Sequence, residues 1–99
     1  NLEGSYWILG VQKQKDIASM IKVLIKKNDH ILLVPVPNQA SWRLKDLSNI
    51  NDLNHLKIIE FEKVELAFNY LTKLKKWPTN DFNGKYPMVW SLYSFRRHL

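Results

Sequence analysis

The chain contains no cysteine and only three glycines, Gly4, Gly10 and Gly84. The first absence excludes a disulfide framework, a Cys-ligated zinc site and a thiol nucleophile. The second excludes the Gly-rich phosphate loop and the dinucleotide-binding fingerprint. No apolar run approaches the roughly 18 residues of a membrane span. The start, Asn1-Leu2-Glu3-Gly4, lacks the charged-then-apolar form of a secretory signal. A cytoplasmic chain with no membrane partner is expected. There is no initiator Met, so a fragment of a longer protein is expected. Arginine is scarce, with Arg43, Arg96 and Arg97 alone. His30, His55 and His98 are scattered without metal-ligand spacing, which points to surface histidines and no metal site.

What is present is a hydrophobic content of 45% in 99 residues, enough for one small domain over 1–99. The net charge is +6, from 15 basic and 9 acidic residues. Such a balance admits nucleic acid, a membrane surface or small anions as partners. Lys22, Lys26 and Lys27 fall on the polar side of a predicted helix, so solvated lysines are preferred to a nucleic-acid stripe.

The pattern alternates between strand and helix. Tyr6 to Leu9 is a short apolar strand that passes through Gly10 into a polar loop, Gln12 to Lys15. From Asp16, apolar residues recur as Ile17, Met20, Ile21, Leu24 and Ile25, one stripe of a helix ending near Asn28-Asp29. Asn28 suits a left-handed cap. Ile31 to Val36 reads as a strand covered on both faces, ended by Pro35 and Pro37. Ser41 is the expected N-cap of a short helix, Trp42 to Leu47. Leu56 to Phe61 is a third strand. A helix from about Lys63 to Lys76 follows, with Val64, Ala67, Phe68, Leu71 and Leu74 as its main stripe. Tyr86 to Trp90 is a fourth short strand, and Ser91 is expected to cap a last helix, Leu92 to His98. This alternation predicts an α/β fold with a Rossmann-like, mainly parallel sheet and helices on both faces.

In such a sheet, ligands sit in loops leaving the carboxyl ends of strands. Two spots qualify. Lys15-Asp16 follows strand one, where Gly10 permits close backbone approach and a helix N-terminus favours an anion. Ser91 follows strand four. Asp16, Asp29, Glu60 and Glu62 do not converge on an acid/base pair, so no catalytic residue is expected in this chain.

Three blocks carry a resemblance: Trp7-Ile-Leu-Gly-Val-Gln with Lys15-Asp16, Leu33-Val-Pro-Val-Pro37 with Ser41-Trp42, and Pro87-Met-Val-Trp-Ser-Leu-Tyr93. In this order they resemble the C-terminal domain of folylpolyglutamate synthase/dihydrofolate synthase, in the Mur ligase superfamily. The Val-Pro-Val-Pro and Ser-Trp blocks look like the cyanobacterial branch. The resemblance implies an ATP-dependent amide ligation in which a folate carboxyl becomes an acyl phosphate and the amine of L-glutamate attacks it. ATP and Mg2+ are implied to bind mainly to an N-terminal ATP-binding domain that this chain lacks, so residues 1–99 alone are expected to be inactive. Lys15 is implied to meet the glutamate carboxylate or nearby phosphates, and Ser91 to hydrogen-bond that carboxylate. Asp16 and Gly10 are implied to organise the loop. Trp90 and Arg96 stand where the family motif has glycine. The implied strand order is 4-1-2-3, with strand 86–90 as an uncovered edge that invites pairing with another copy. A non-catalytic α/β interaction module and a basic nucleic-acid-binding domain are the alternatives.

Overall fold

The computed structural model describes residues 4–50, 53, 55–74, 76–78 and 89–97, the last two stretches as backbone. Three strands run parallel: β1 (Tyr6–Val11), β2 (His30–Leu33) and β3 (Lys57–Glu60). Tyr6 pairs with His30, and His30 with Lys57. Helix α1 (Ile17–Leu24) and the short α2 (Leu44–Leu47) lie in the connections, and α3 (Val64–Lys73) follows β3. Strands β4 (Lys76–Pro78) and β5 (Val89–Arg97) complete a mixed sheet of order β3-β2-β1-β5-β4. The chain is a small α/β fold built on a parallel trio, as the sequence pattern predicts.

The near-continuous apolar runs of β1 and β2 follow from cover on both faces. Side chains alternate across a strand. Trp7, Leu9, Val11, Ile31 and Leu33 therefore pack on one face with Ile17, Met20, Ile21 and Leu24 of α1. Ile8, Leu32 and Val34 pack on the other with Ala67 and Leu71 of α3. The stripe expected on α1 is its buried face. On α3, Leu74 lies past the helix and is exposed.

The elements are shorter than their sequence patterns, for local reasons. Helix α1 ends at Leu24, where Ile25 turns extended, while Asn28 takes its left-handed conformation (φ 74°) in the following turn. Gly4 (φ 78°) lies against that turn: a Cβ there would sit 2.0 Å from the Asn28 carbonyl oxygen, so no other residue fits without movement. Helix α2 starts at Leu44, not Trp42. Arg43 is its N-cap, and Asp46 reaches back to the Arg43 N–H at 2.9 Å. Ser41 is not a cap. Its hydroxyl accepts the Val36 N–H at 2.7 Å and so closes the loop after β2.

Expectations around β5 are corrected as well. Gly10 lies inside β1, because β5 runs antiparallel alongside and pairs Gly10 with Ser91 and Val11 with Val89, with a register shift between. Leu92 to Arg97 is strand, not helix, since it supplies the partner for the edge of β1 that β2 leaves open. Ser91 is therefore a strand residue and not an N-cap. Of the expected strand Tyr86 to Trp90, only Val89 and Trp90 lie within the described residues, as does all of the expected helix but His98. No helix among the described residues is long and apolar enough to cross a membrane.

Candidate functional site at the carboxyl end of the parallel strands

The loop after β1 is held by the loop after β2. The Lys13 N–H donates to the Ala40 carbonyl at 2.8 Å, and the Trp42 N–H donates to Val11 at 3.0 Å. Gln12 and Ser41 form an isolated antiparallel bridge. Inside the loop, the Lys15 N–H donates to the Gln12 carbonyl at 3.0 Å. The Trp42 indole N–H donates to the Lys15 carbonyl at 2.9 Å. The backbone of Lys15 is thus fixed from both sides before any ligand arrives.

Asp16 is the N-cap of α1. Its carboxylate accepts the Ser19 N–H at 3.2 Å and the Ser19 hydroxyl at 2.7 Å. The Ser19 hydroxyl, then the Ser19 amide, hold its carboxyl below the ordinary value. This is the organising role expected of Asp16. It has a cost for the anion argument. The Ile17 N–H donates to the Lys15 carbonyl and the Met20 N–H to the Asp16 carbonyl. The helix N-terminus is therefore largely satisfied and carries a negative side chain. Attraction for an anion here rests on the Lys15 ammonium.

The neighbouring cations are engaged. Lys13 pairs with Asp46 at 3.1 Å and lies 5.0 Å from the centre of the Trp42 ring. The Arg43 Nε pairs with Glu60 at 2.9 Å, and its Nη2 donates to the Phe61 carbonyl at 2.9 Å. Arg43 Nη1 is buried with no acceptor among the described residues. Lys15 is half-buried and has no carboxylate partner among the described residues. Asp46 is held below the ordinary carboxylate value, first by the Arg43 N–H and then by Lys13.

Both carboxylates bind protons less readily folded than unfolded. Their contribution is complete above the unfolded value of about 3.9 and is lost as pH falls through the lower folded value. Thermal melts across that acid range should show wild type losing stability more steeply than an Asp16→Asn, Asp46→Asn double variant. Equal slopes would contradict these assignments.

Of the sequence-predicted residues, Lys15 and Asp16 leave the carboxyl end of β1, while Gly10 and Ser91 face each other as backbone partners near that same end. Sequence reasoning missed the Trp42 indole contact and the Lys13–Asp46 and Arg43–Glu60 pairs. Trp42 was legible only as part of a motif, and the partners lie too far apart in the chain for a local pattern. No family model matches this chain, and no curated protein or solved structure is significantly similar to it.

Proposed function

We propose that this chain is the C-terminal domain of an ATP-dependent amide ligase that adds L-glutamate to folates, of the folylpolyglutamate synthase/dihydrofolate synthase kind. The observation that carries the reading is Lys15, whose backbone is clamped by the Trp42 indole and whose ammonium is left without a carboxylate partner among the described residues. A cation so placed binds and orients the carboxylate of an incoming amino acid and leaves its amine free to attack. Ser91 is a second contact in this reading, through its hydroxyl, since a strand position removes the helix N-terminus from its role. The fuller topology belongs to the proposal: a strand at Tyr86 to Trp90 beside strand one, in order 4-1-2-3.

Among the described residues no group of three or more His, Asp or Glu side chains that could hold a metal ion is found. The part assigned to these residues is confined to the glutamate side. The work of Lys15 is positional. It holds one carboxylate, and the loop around it needs no rearrangement to do so.

A second reading, the non-catalytic interaction module, is favoured by one observation: Leu92 to Arg97 runs as strand, so the anion site that a helix at Ser91 would offer is lacking. The assay that separates the two measures ADP release by the gene product that contains this chain. The ligase reading expects ADP only when ATP, a reduced folate and L-glutamate are all present, and none from residues 1–99 alone. Release that ignores glutamate, or release by residues 1–99 alone, would count against it.

A further inference from the structure

At the amino ends of β2 and β3, opposite the Lys15 loop, lies a cleft of roughly 480 Å³ lined by residues 25–29 and 55–57. That volume is within the usual range for small-molecule sites. Its cations come from two separate segments, Lys26 and Lys27 after α1, and Lys57 entering β3, beside His55. Among the described residues none of the three lysines has a carboxylate partner. Asp29 is the one carboxylate among the described lining residues, and it is spent on the fold. It is buried, and it accepts the Ser5 N–H at 2.7 Å, the Trp7 indole N–H at 2.9 Å and the Lys26 N–H at 2.8 Å. Those bonds, with Gly4 pressed against Asn28, hold the Lys26–Asp29 turn in one shape. Lys26 and Lys27 also complement the carbonyl end of α1, which accounts for two of the positive groups. It does not account for Lys57, which lines the same cleft from another segment. Ile25 and Leu56 supply apolar wall.

We propose that this cleft binds a phosphate-bearing small molecule with an apolar or aromatic body, the chemistry of a nucleoside monophosphate. The phosphoryl group lies among Lys26, Lys27 and Lys57, and the body lies against Ile25 and Leu56. The site is separate from the proposed glutamate site, and its test does not depend on ligase activity.

The test is an NMR titration of the protein at low ionic strength with AMP, with inorganic phosphate as the second arm. AMP should give saturable amide shifts confined to residues 25–29 and 55–57, with tighter binding than phosphate. Lys57→Gln should weaken AMP binding about three- to tenfold, the scale of one partly screened charge contact. Lys45→Gln removes the same charge from α2 and should change nothing. Shifts spread over Lys45, Lys63 and Lys73, or equal weakening by both variants, would reduce the cleft to general positive charge and overturn the proposal. AMP binding no tighter than phosphate would overturn the apolar part. A single-stranded oligonucleotide that binds through lysines all over the surface, and more tightly than AMP, would overturn it in favour of nucleic acid.

Discussion

Under the proposed ligase function, Lys15→Ala is expected to lower kcat/KM for L-glutamate about ten- to a hundredfold in the gene product that contains this chain. The estimate is the loss of one charge-assisted hydrogen bond to a carboxylate, about 1.5–3 kcal/mol. The fold should tolerate the change, since the Lys15 bonds seen here are made by its backbone N–H and carbonyl, which alanine keeps. If the contact forms equally in ground and transition states, KM rises and kcat holds. If it strengthens as the amine attacks, kcat falls as well. Lys73→Ala, an exposed lysine in the last turn of α3, is the control. Wild-type kcat/KM in Lys15→Ala would leave this lysine as a solvated loop residue.

The second large effect concerns stability. Asp29→Ala removes the acceptor for the Ser5 amide, the Trp7 indole and the Lys26 amide at once. Trp7 and Ser5 are buried, so their donors find no water in exchange. Each buried donor left unpaired costs about 1–3 kcal/mol. With partial relaxation the sum is about 3–5 kcal/mol, a large share of the roughly 5–15 kcal/mol that holds a domain together. Asp29→Asn keeps one acceptor oxygen and should cost less. Urea unfolding followed by tryptophan fluorescence measures both. A loss under about 1 kcal/mol for Asp29→Ala would mean that the clamp does not matter to the fold.

Much of the parallel trio was legible because its signal is burial. Ile31 to Val34 is apolar at every position since both faces of β2 are covered, and Ile17, Met20, Ile21 and Leu24 mark the one face of α1 that is buried. The ends were less legible. At α2 the pairing of Arg43 with Asp46 replaced the Ser cap that the sequence suggests, because the Ser41 hydroxyl is taken by the Val36 N–H. At Leu92 to Arg97, a Ser before apolar residues and a basic end read as helix. The open edge of β1 decides otherwise, since strand pairing depends on a distant neighbour and not on local preference. The site divides in the same way. Lys15 and Asp16 stood out as charges at a strand-to-helix junction. The indole that fixes Lys15 comes from Trp42, 27 residues on, and the carboxylate that anchors the Trp7 indole comes from Asp29, 22 residues on. Neither leaves a periodic trace.

The most direct measurement follows oxygen. With the substrate folate carboxylate labelled with oxygen-18, ligation through an acyl phosphate transfers one labelled oxygen to inorganic phosphate for each amide bond formed. The account predicts that the gene product containing this chain yields labelled phosphate and glutamylated folate in equal amounts. Phosphate without label, or no glutamylated product with all substrates present, would contradict it.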